Sequence, residues 1–154
     1  MCQLNYIKDR HRHLLKLKQS QQHTLTSTEQ AELESYSAML ESQIEWETKD
    51  QYFEFLDQLN QGEIDFFDFS LNLYQQVQKN SEIFEILETN YILLSIDQKA
   101  KKFDQLIIEI LDLCDSFKEI GESISPGEKW DQYNLEFKYS INKIYSEIKK
   151  LISE

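Results

Sequence analysis

The fold is decided by the last part of the chain, WDQYNLEFKYSINKIYSEIKKL at residues 130–151. Its apolar side chains recur every three or four positions, at Trp130, Tyr133, Phe137, Ile141, Ile144, Ile148 and Leu151. This spacing is that of one face of an α-helix, and such a long apolar face needs other helices to cover it. Just upstream, Ser125-Pro126-Gly127-Glu128 combines an N-cap, a proline suited to the first turn and a capping carboxylate. We therefore predict a long C-terminal helix within a bundle.

The rest of the chain also favours helices. Its 154 residues include three glycines and one proline, too few for the turns of a many-stranded β fold. Thr26 and Glu29 have the spacing of a capping box, which predicts a helix over residues 28–46. Gly62 suits a left-handed helix end and Asp65 suits an N-cap, which together predict a helical hairpin. The fold class expected is an all-α antiparallel bundle of about five to seven helices.

Three further apolar stripes complete the predicted bundle. The second helix of the hairpin carries Phe66, Phe69, Leu73 and Val77 inward, with Phe67, Leu71 and Tyr74 broadening the stripe. Residues 81–94 form a separate apolar segment that ends in the run 91–94, which periodicity assigns to neither helix nor extended chain. We expect helix there. Residues 97–119 form another apolar segment. The apolar side chains on one side of the helix predicted there are Phe103, Leu106, Ile107, Ile110, Leu113, Cys114 and Phe117.

Charge is distributed unevenly along the chain. The net charge is -12 at pH 7, but residues 1–25 carry +4 and residues 26–154 carry −16. We therefore predict a basic N-terminal helical segment at 1–25, with a loosely apolar helix over residues 3–22, followed by an acidic helical bundle at 26–154. A field of this sign disfavours direct contact with nucleic acid or anionic membranes and attracts basic proteins.

The residues that usually carry catalysis or bind metals are sparse. The histidines His11, His13 and His23 all lie near the N-terminus, so the Glu-x-x-His pairs of a di-metal bundle are absent. His11 and His13 with Cys2 form a possible transition-metal set, but we favour a solvated basic helix because residues two apart on a helix diverge. Cys114 falls among core positions, where a thiol acts as a small hydrophobe. We expect no enzyme activity, no metal and no cofactor.

One stretch has part of the pattern of a calcium-binding EF-hand loop. Five positions of the twelve-residue loop match, at Asp57, Gly62, Ile64, Asp65 and Asp68. Two ligand positions do not, because Leu59 and Gln61 occupy them. We interpret the matching residues as a glycine-terminated helix followed by an aspartate-capped one.

Acidic residues cluster at helical spacing. One set is Glu82, Glu85 and Glu88, and another is Glu109, Asp112, Asp115 and Glu119. Such sets form either a solvated face or a docking surface for a cationic partner, and composition leaves both readings open. If they dock a partner, the candidate contacts to its lysines and arginines are Asp65, Asp68, Glu82, Glu85, Glu109, Asp112 and Asp115.

The segment YFEFLDQLNQGEIDFFDFSLNLYQQV at 52–77 resembles the first helical hairpin of bacterial self-protective, colicin-like immunity proteins of the colicin D type. ILETNYILLSIDQKAKKFDQLIIEILDLCDSF at 86–117 and ISPGEKWDQYNLEFKYSINKIYSEI at 124–148 are similar to the rest of that pattern, which also occurs in uncharacterised proteins encoded by algal plastids. The resemblance covers about residues 50–152. It implies a helical bundle whose acidic side chains occlude the cationic active site of a nuclease toxin, such as a tRNA-cleaving domain.

Two functional hypotheses follow. The first is a non-enzymatic acidic binding protein of the immunity type, and the alternative is a structural or accessory interaction protein of a plastid or other organelle assembly. The 16 isoleucines against one valine fit an AT-rich genome, bacterial or plastid. Because no membrane span or secretory signal is recognisable, we expect an intracellular soluble protein of the bacterial cytoplasm or plastid stroma. The oligomeric state is left open.

Overall fold

A computed structural model describes residues 5–20, 24–123 and 130–154, with side chains for 5–20, 24–119 and 132–154. These residues contain six α-helices and no β-strand. The helices are α1 (Lys8–Gln19), α2 (Ser27–Glu47), α3 (Lys49–Asn60), α4 (Phe66–Thr89), α5 (Ala100–Ser123) and α6 (Trp130–Ser153). The predicted all-α bundle with a long C-terminal helix is confirmed.

Local sequence signals set the ends of several helices as predicted. Thr26 and Glu29 form the capping box, in which the Thr26 hydroxyl accepts from the Glu29 amide at 3.1 Å and the Glu29 carboxylate accepts from the Thr26 amide at 2.9 Å. Gly62 has a φ of 76°, a left-handed conformation that glycine adopts without steric cost. Asp65 caps α4 by accepting from the amide of Asp68 at 2.9 Å.

The predicted seam of α6 is buried. Its fully buried members are Tyr133, Phe137, Ile141, Ile144 and Ile148, and Leu151 is partly buried. The predicted capping segment Ser125–Glu128 and the side chain of Trp130 lie outside the described residues. The buried face of α6 meets α5 and α3.

The described core consists of two clusters. The larger one joins α3, α4, α5 and α6, where aromatic rings meet edge to face, as in the Phe66–Phe137 pair with centroids 4.7 Å apart. The smaller one joins α1, α2 and the segment after α4, through Leu14, Leu15, Leu33, Tyr36, Leu40, Ile44 and Leu93. Helix α1 therefore packs against α2 through its leucines.

Two predictions about residues 81–94 are wrong. Position 81 starts no new segment, because α4 runs without interruption from Phe66 to Thr89. Residues 92–97 are not helical, because Tyr91 takes a left-handed φ of 55° and ends the helix. The amides of Ile92 and Tyr91 then close onto the carbonyls of Leu87 and Glu88 at 2.9 and 3.2 Å, which is the hydrogen-bond pattern of a Schellman motif.

Candidate functional site

The outer face of α4 is apolar at its N-terminal half and acidic at its C-terminal half. Phe67, Leu71 and Tyr74 are 54%, 56% and 39% exposed, so the prediction that they broaden the buried stripe is wrong. They lie on the solvent side of α4 because the inward stripe is already filled by residues such as Phe66 and Phe69.

Glu82 and Glu85 continue the line of these exposed apolar residues. At 100° per residue, positions 67, 71, 74, 82 and 85 fall on one side of the helix. Both glutamates are exposed. We call this line, Phe67, Leu71, Tyr74, Glu82 and Glu85, the α4 stripe.

The acidic residues of α5 lie beside this stripe. Glu109, Asp112 and Asp115 are all exposed, and the hydroxyl of Tyr74 donates to the carboxylate of Asp115. Burial, followed by this hydrogen bond and the negative charge of Asp115, raises the pKa of Tyr74 above its ordinary value. Tyr74 thus connects the α4 stripe to the acidic side of α5.

The seven predicted contact residues do not form one compact patch. Asp65 and Asp68 are exposed at the N-terminus of α4, where Asp65 is already engaged as the cap. At 1.5 Å per residue, Asp68 lies about 25 Å along α4 from Glu85. The carboxylates therefore extend along the length of α4 and over part of α5.

Glu88, which the spacing placed in the exposed acidic set, belongs instead to a half-buried network. Its Oε2 is 2.8 Å from Nε2 of His11 and accepts from the hydroxyl of Ser37 at 2.6 Å. Burial raises the pKa of Glu88. The hydrogen bonds from His11 and Ser37 lower it by a larger amount, so the net pKa lies below the ordinary value.

His11 is fully buried, so the expectation that it lies on a solvated helix is wrong. Nδ1 of His11 is 2.8 Å from the hydroxyl of Tyr6, and its ring packs against Tyr36. With the proton on Nε2, His11 donates to Glu88 and accepts from Tyr6, which uses both ring nitrogens. His13 is exposed, so the two histidines do not converge. The sequence carried no signal for this burial because Glu88 is 77 residues away.

Serine, histidine and glutamate meet in this network, but not in the order that nucleophilic catalysis needs. A catalytic serine donates to the histidine base, and the carboxylate orients the other side of the ring. Here Ser37 donates to Glu88, and the second nitrogen of His11 is bonded to Tyr6. The arrangement joins α1, α2 and α4, and we interpret it as structural.

A second polar network is buried between α2, α3 and α4. Oε2 of Glu45 accepts from Nδ2 of Asn80 at 3.0 Å and from the hydroxyl of Tyr52, and Asn80 also donates to Oγ1 of Thr48 at 2.9 Å. Burial is the main cause that raises the pKa of Glu45 to about 7, and the nearby Asp104 adds to it. Glu45 therefore gains and loses its proton in the neutral pH range and not near pH 4.5.

A groove of about 210 Å³ opens beside Glu45, between α4 and α5. Asp104 and Glu41 also border it, and burial raises the pKa of each above its ordinary value. The hydroxyl of Ser42 donates to Asp104 at 3.1 Å. Sequence reasoning missed this groove, since it depends on how closely three helices approach one another.

The described residues include candidate metal ligands and one thiol, that of Cys114. Within them, no group of three or more histidine, cysteine, aspartate or glutamate side chains could hold a metal ion. Asp57, part of the EF-hand pattern, instead accepts a hydrogen bond from the Tyr145 hydroxyl. Cys114 is buried as predicted, and burial raises the pKa of its thiol to about 11.

None of the described helices is both long and apolar enough to cross a bilayer. Comparison with protein-family models, with curated protein sequences and with solved structures finds no match to this chain.

Proposed function

We propose that this protein is a non-enzymatic binding protein that holds a basic protein partner on the acidic faces of α4 and α5. The observation that carries the proposal is the exposure of Glu82, Glu85, Glu109 and Asp112 on these neighbouring helices. Among the described residues, no lysine or arginine forms an ion pair with any of the four. The negative charge of these four carboxylates is therefore available to attract the cationic surface of a partner.

The partner we propose is the cationic active-site face of a nuclease, as the resemblance to colicin-like immunity proteins implies. The charge of −16 on residues 26–154 supports this choice, because lysines and arginines are the side chains that neutralise the phosphates of nucleic acid. Carboxylates placed over that face would occupy it in competition with nucleic acid. Binding of this kind requires no catalytic group in the inhibitor.

The test is affinity capture from the organism that encodes the protein, at low and at high salt, with mass spectrometry of the captured proteins. Charged surfaces are screened over about 10 Å at 0.1 M salt and about 3 Å at 1 M. We expect a basic protein to be retained at low salt and released at high salt. Capture of no basic protein at low salt, or of one that high salt does not release, would contradict the proposal.

A pair of charge-reversed variants locates the contact. Glu82→Lys with Glu85→Lys should weaken capture, since both side chains point to solvent on α4. The matched control is Glu54→Lys with Glu147→Lys, which changes the net charge equally at exposed positions of α3 and α6. Equal losses in the two double variants would mean that total charge, and not the α4–α5 side, holds the partner.

A further inference from the structure

The groove between α4 and α5 has apolar walls and an acidic floor. Val77 and Phe84 of α4 face Ile108 and Leu111 of α5 across it. Its volume of about 210 Å³ is below the roughly 300–1,000 Å³ of pockets that hold whole small molecules. The groove is therefore the size for one long side chain.

The carboxylates of the floor are held by neutral groups. Tyr52 and Asn80 donate to Glu45, and Ser42 donates to Asp104. The charges that act on Glu45 are those of Asp104 and Glu41, which repel it. A buried carboxylate is stabilised most by a cation, so this floor is complementary to an ammonium or guanidinium group.

The groove can be reached from solvent along the α4 stripe. Glu41 and Ser81 border it and are exposed, and Ile108 is 48% exposed at its edge. Tyr74, which bonds Asp115 of α5, marks the side of the stripe that faces the groove. Tyr74 and Ser81 are two helical turns apart, which is about 10 Å.

We propose that the partner presents a basic amphipathic helix to α4, with one lysine or arginine side chain in the groove and its apolar side chains on Phe67 and Leu71. This inference rests on the proposed function and specifies how the basic partner is recognised. The methylene stem of lysine or arginine packs on apolar surfaces while its charged end reaches polar groups. The groove offers both, with apolar walls for the stem and carboxylates at its floor for the charge. The acidic end of the stripe, Glu82 and Glu85, then faces the remaining cations of that helix.

The test uses two synthetic peptides of about 14 residues, roughly four helical turns. One is an amphipathic helix of leucine and lysine, and the other has the same lysines with glutamine in place of leucine. We expect the leucine–lysine peptide to bind more tightly in calorimetry. Phe67→Ser with Leu71→Ser should remove this advantage at low and high salt alike, because apolar contacts are not screened.

Groove occupation is tested separately. Glu45→Gln with Asp104→Asn should weaken binding of the leucine–lysine peptide about tenfold, whereas the control Glu54→Gln with Glu147→Gln should leave it unchanged. Binding at pH 7 should also release protons, because a cation in the groove lowers the pKa of Glu45 from about 7. Calorimetry in buffers of different ionisation enthalpy measures this release, which Glu45→Gln should reduce.

The inference is overturned if the two peptides bind equally, if neither binds, or if the groove variant binds as tightly as the control. None of these outcomes decides whether the proposed function is correct. The capture experiment tests that function and does not depend on the groove. A basic partner that is captured in a salt-dependent way and is indifferent to the groove variant would support the acidic surface and refute the helix in the groove.

Discussion

Replacing Glu45 by glutamine should stabilise the protein at alkaline pH. The carboxyl group of Glu45 is flanked by Glu41 on its own helix, Asp104 on α5, and the polar groups of Tyr52 and Asn80 on α3 and α4. Glutamine keeps a side-chain oxygen that can accept from Tyr52 and Asn80. The substitution therefore removes the negative charge and keeps an acceptor for both hydrogen bonds.

The size of the effect follows from proton linkage. Folding raises the pKa of Glu45 from 4.5 to about 7, so the folded state holds this proton more tightly than the unfolded chain. Its contribution to stability is full below pH 4.5 and is lost as pH rises through about 7. The loss amounts to about 3 kcal/mol above pH 7. Glu45→Gln should thus gain up to about that amount over the natural protein at pH 8, and little at pH 5.

Urea unfolding followed by circular dichroism between pH 5 and pH 8 measures the difference. The natural protein and Glu45→Gln should diverge as pH rises, while the exposed control Glu54→Gln should run parallel to the natural protein. The difference in stability between the two proteins cancels the contribution of every group that titrates in both. One such group is Glu88, whose lowered pKa stabilises the folded protein as pH rises. A difference that stays constant from pH 5 to pH 8 would refute the assignment of a half-buried Glu45 with a raised pKa.

Three other substitutions test the structure. His11→Ala should lower the free energy of unfolding in urea by about 3 kcal/mol, because it leaves Glu88 and Tyr6 without their shared partner. The exposed control His13→Ala should lower it by less than about 0.5 kcal/mol. Equal losses would contradict the burial of His11. Tyr91→Gly should be about 1 kcal/mol more stable than Tyr91→Ala in the same assay, since alanine is strained at a φ of 55°. A more stable alanine variant would contradict the left-handed conformation of residue 91. In a Cys2→Ser background at pH 8, Cys114 should react with a disulfide reagent about 100-fold more slowly in the folded protein than in urea; equal rates would show an accessible thiol.

Helix ends and the main apolar stripes could be predicted because their causes are local. A hydroxyl or carboxylate two or three residues from an unpaired amide, as at Thr26 and Asp65, needs no distant partner. Gly62 is the residue that a left-handed helix end favours. Tyr91 takes the same role without the glycine signal, and this is why the end of α4 was predicted wrongly.

Burial on a helix face depends on neighbours that periodicity does not reveal. Phe67 and Leu71 extend the apolar stripe of α4 in sequence, yet they lie beyond the arc that α2, α3 and α5 cover. His11 and Asn80 show the opposite case, since these polar residues are buried beside partners 77 and 35 residues away. Polar burial of this kind is decided by the tertiary fold, and so are the surfaces on which function would depend.

The carboxylates that border the groove oppose folding when they are ionised. Glu41, Glu45 and Asp104 each have a raised pKa, so each destabilises the folded protein when it is ionised. Neutral isosteres at these positions are predicted to stabilise the protein, and residues that reduce stability concentrate where function requires them. A cation from a partner would remove the repulsion among the three. Gain of stability at pH 8 and loss of peptide binding, in the same Glu45→Gln protein, would therefore have one physical cause: the charge of a single carboxylate.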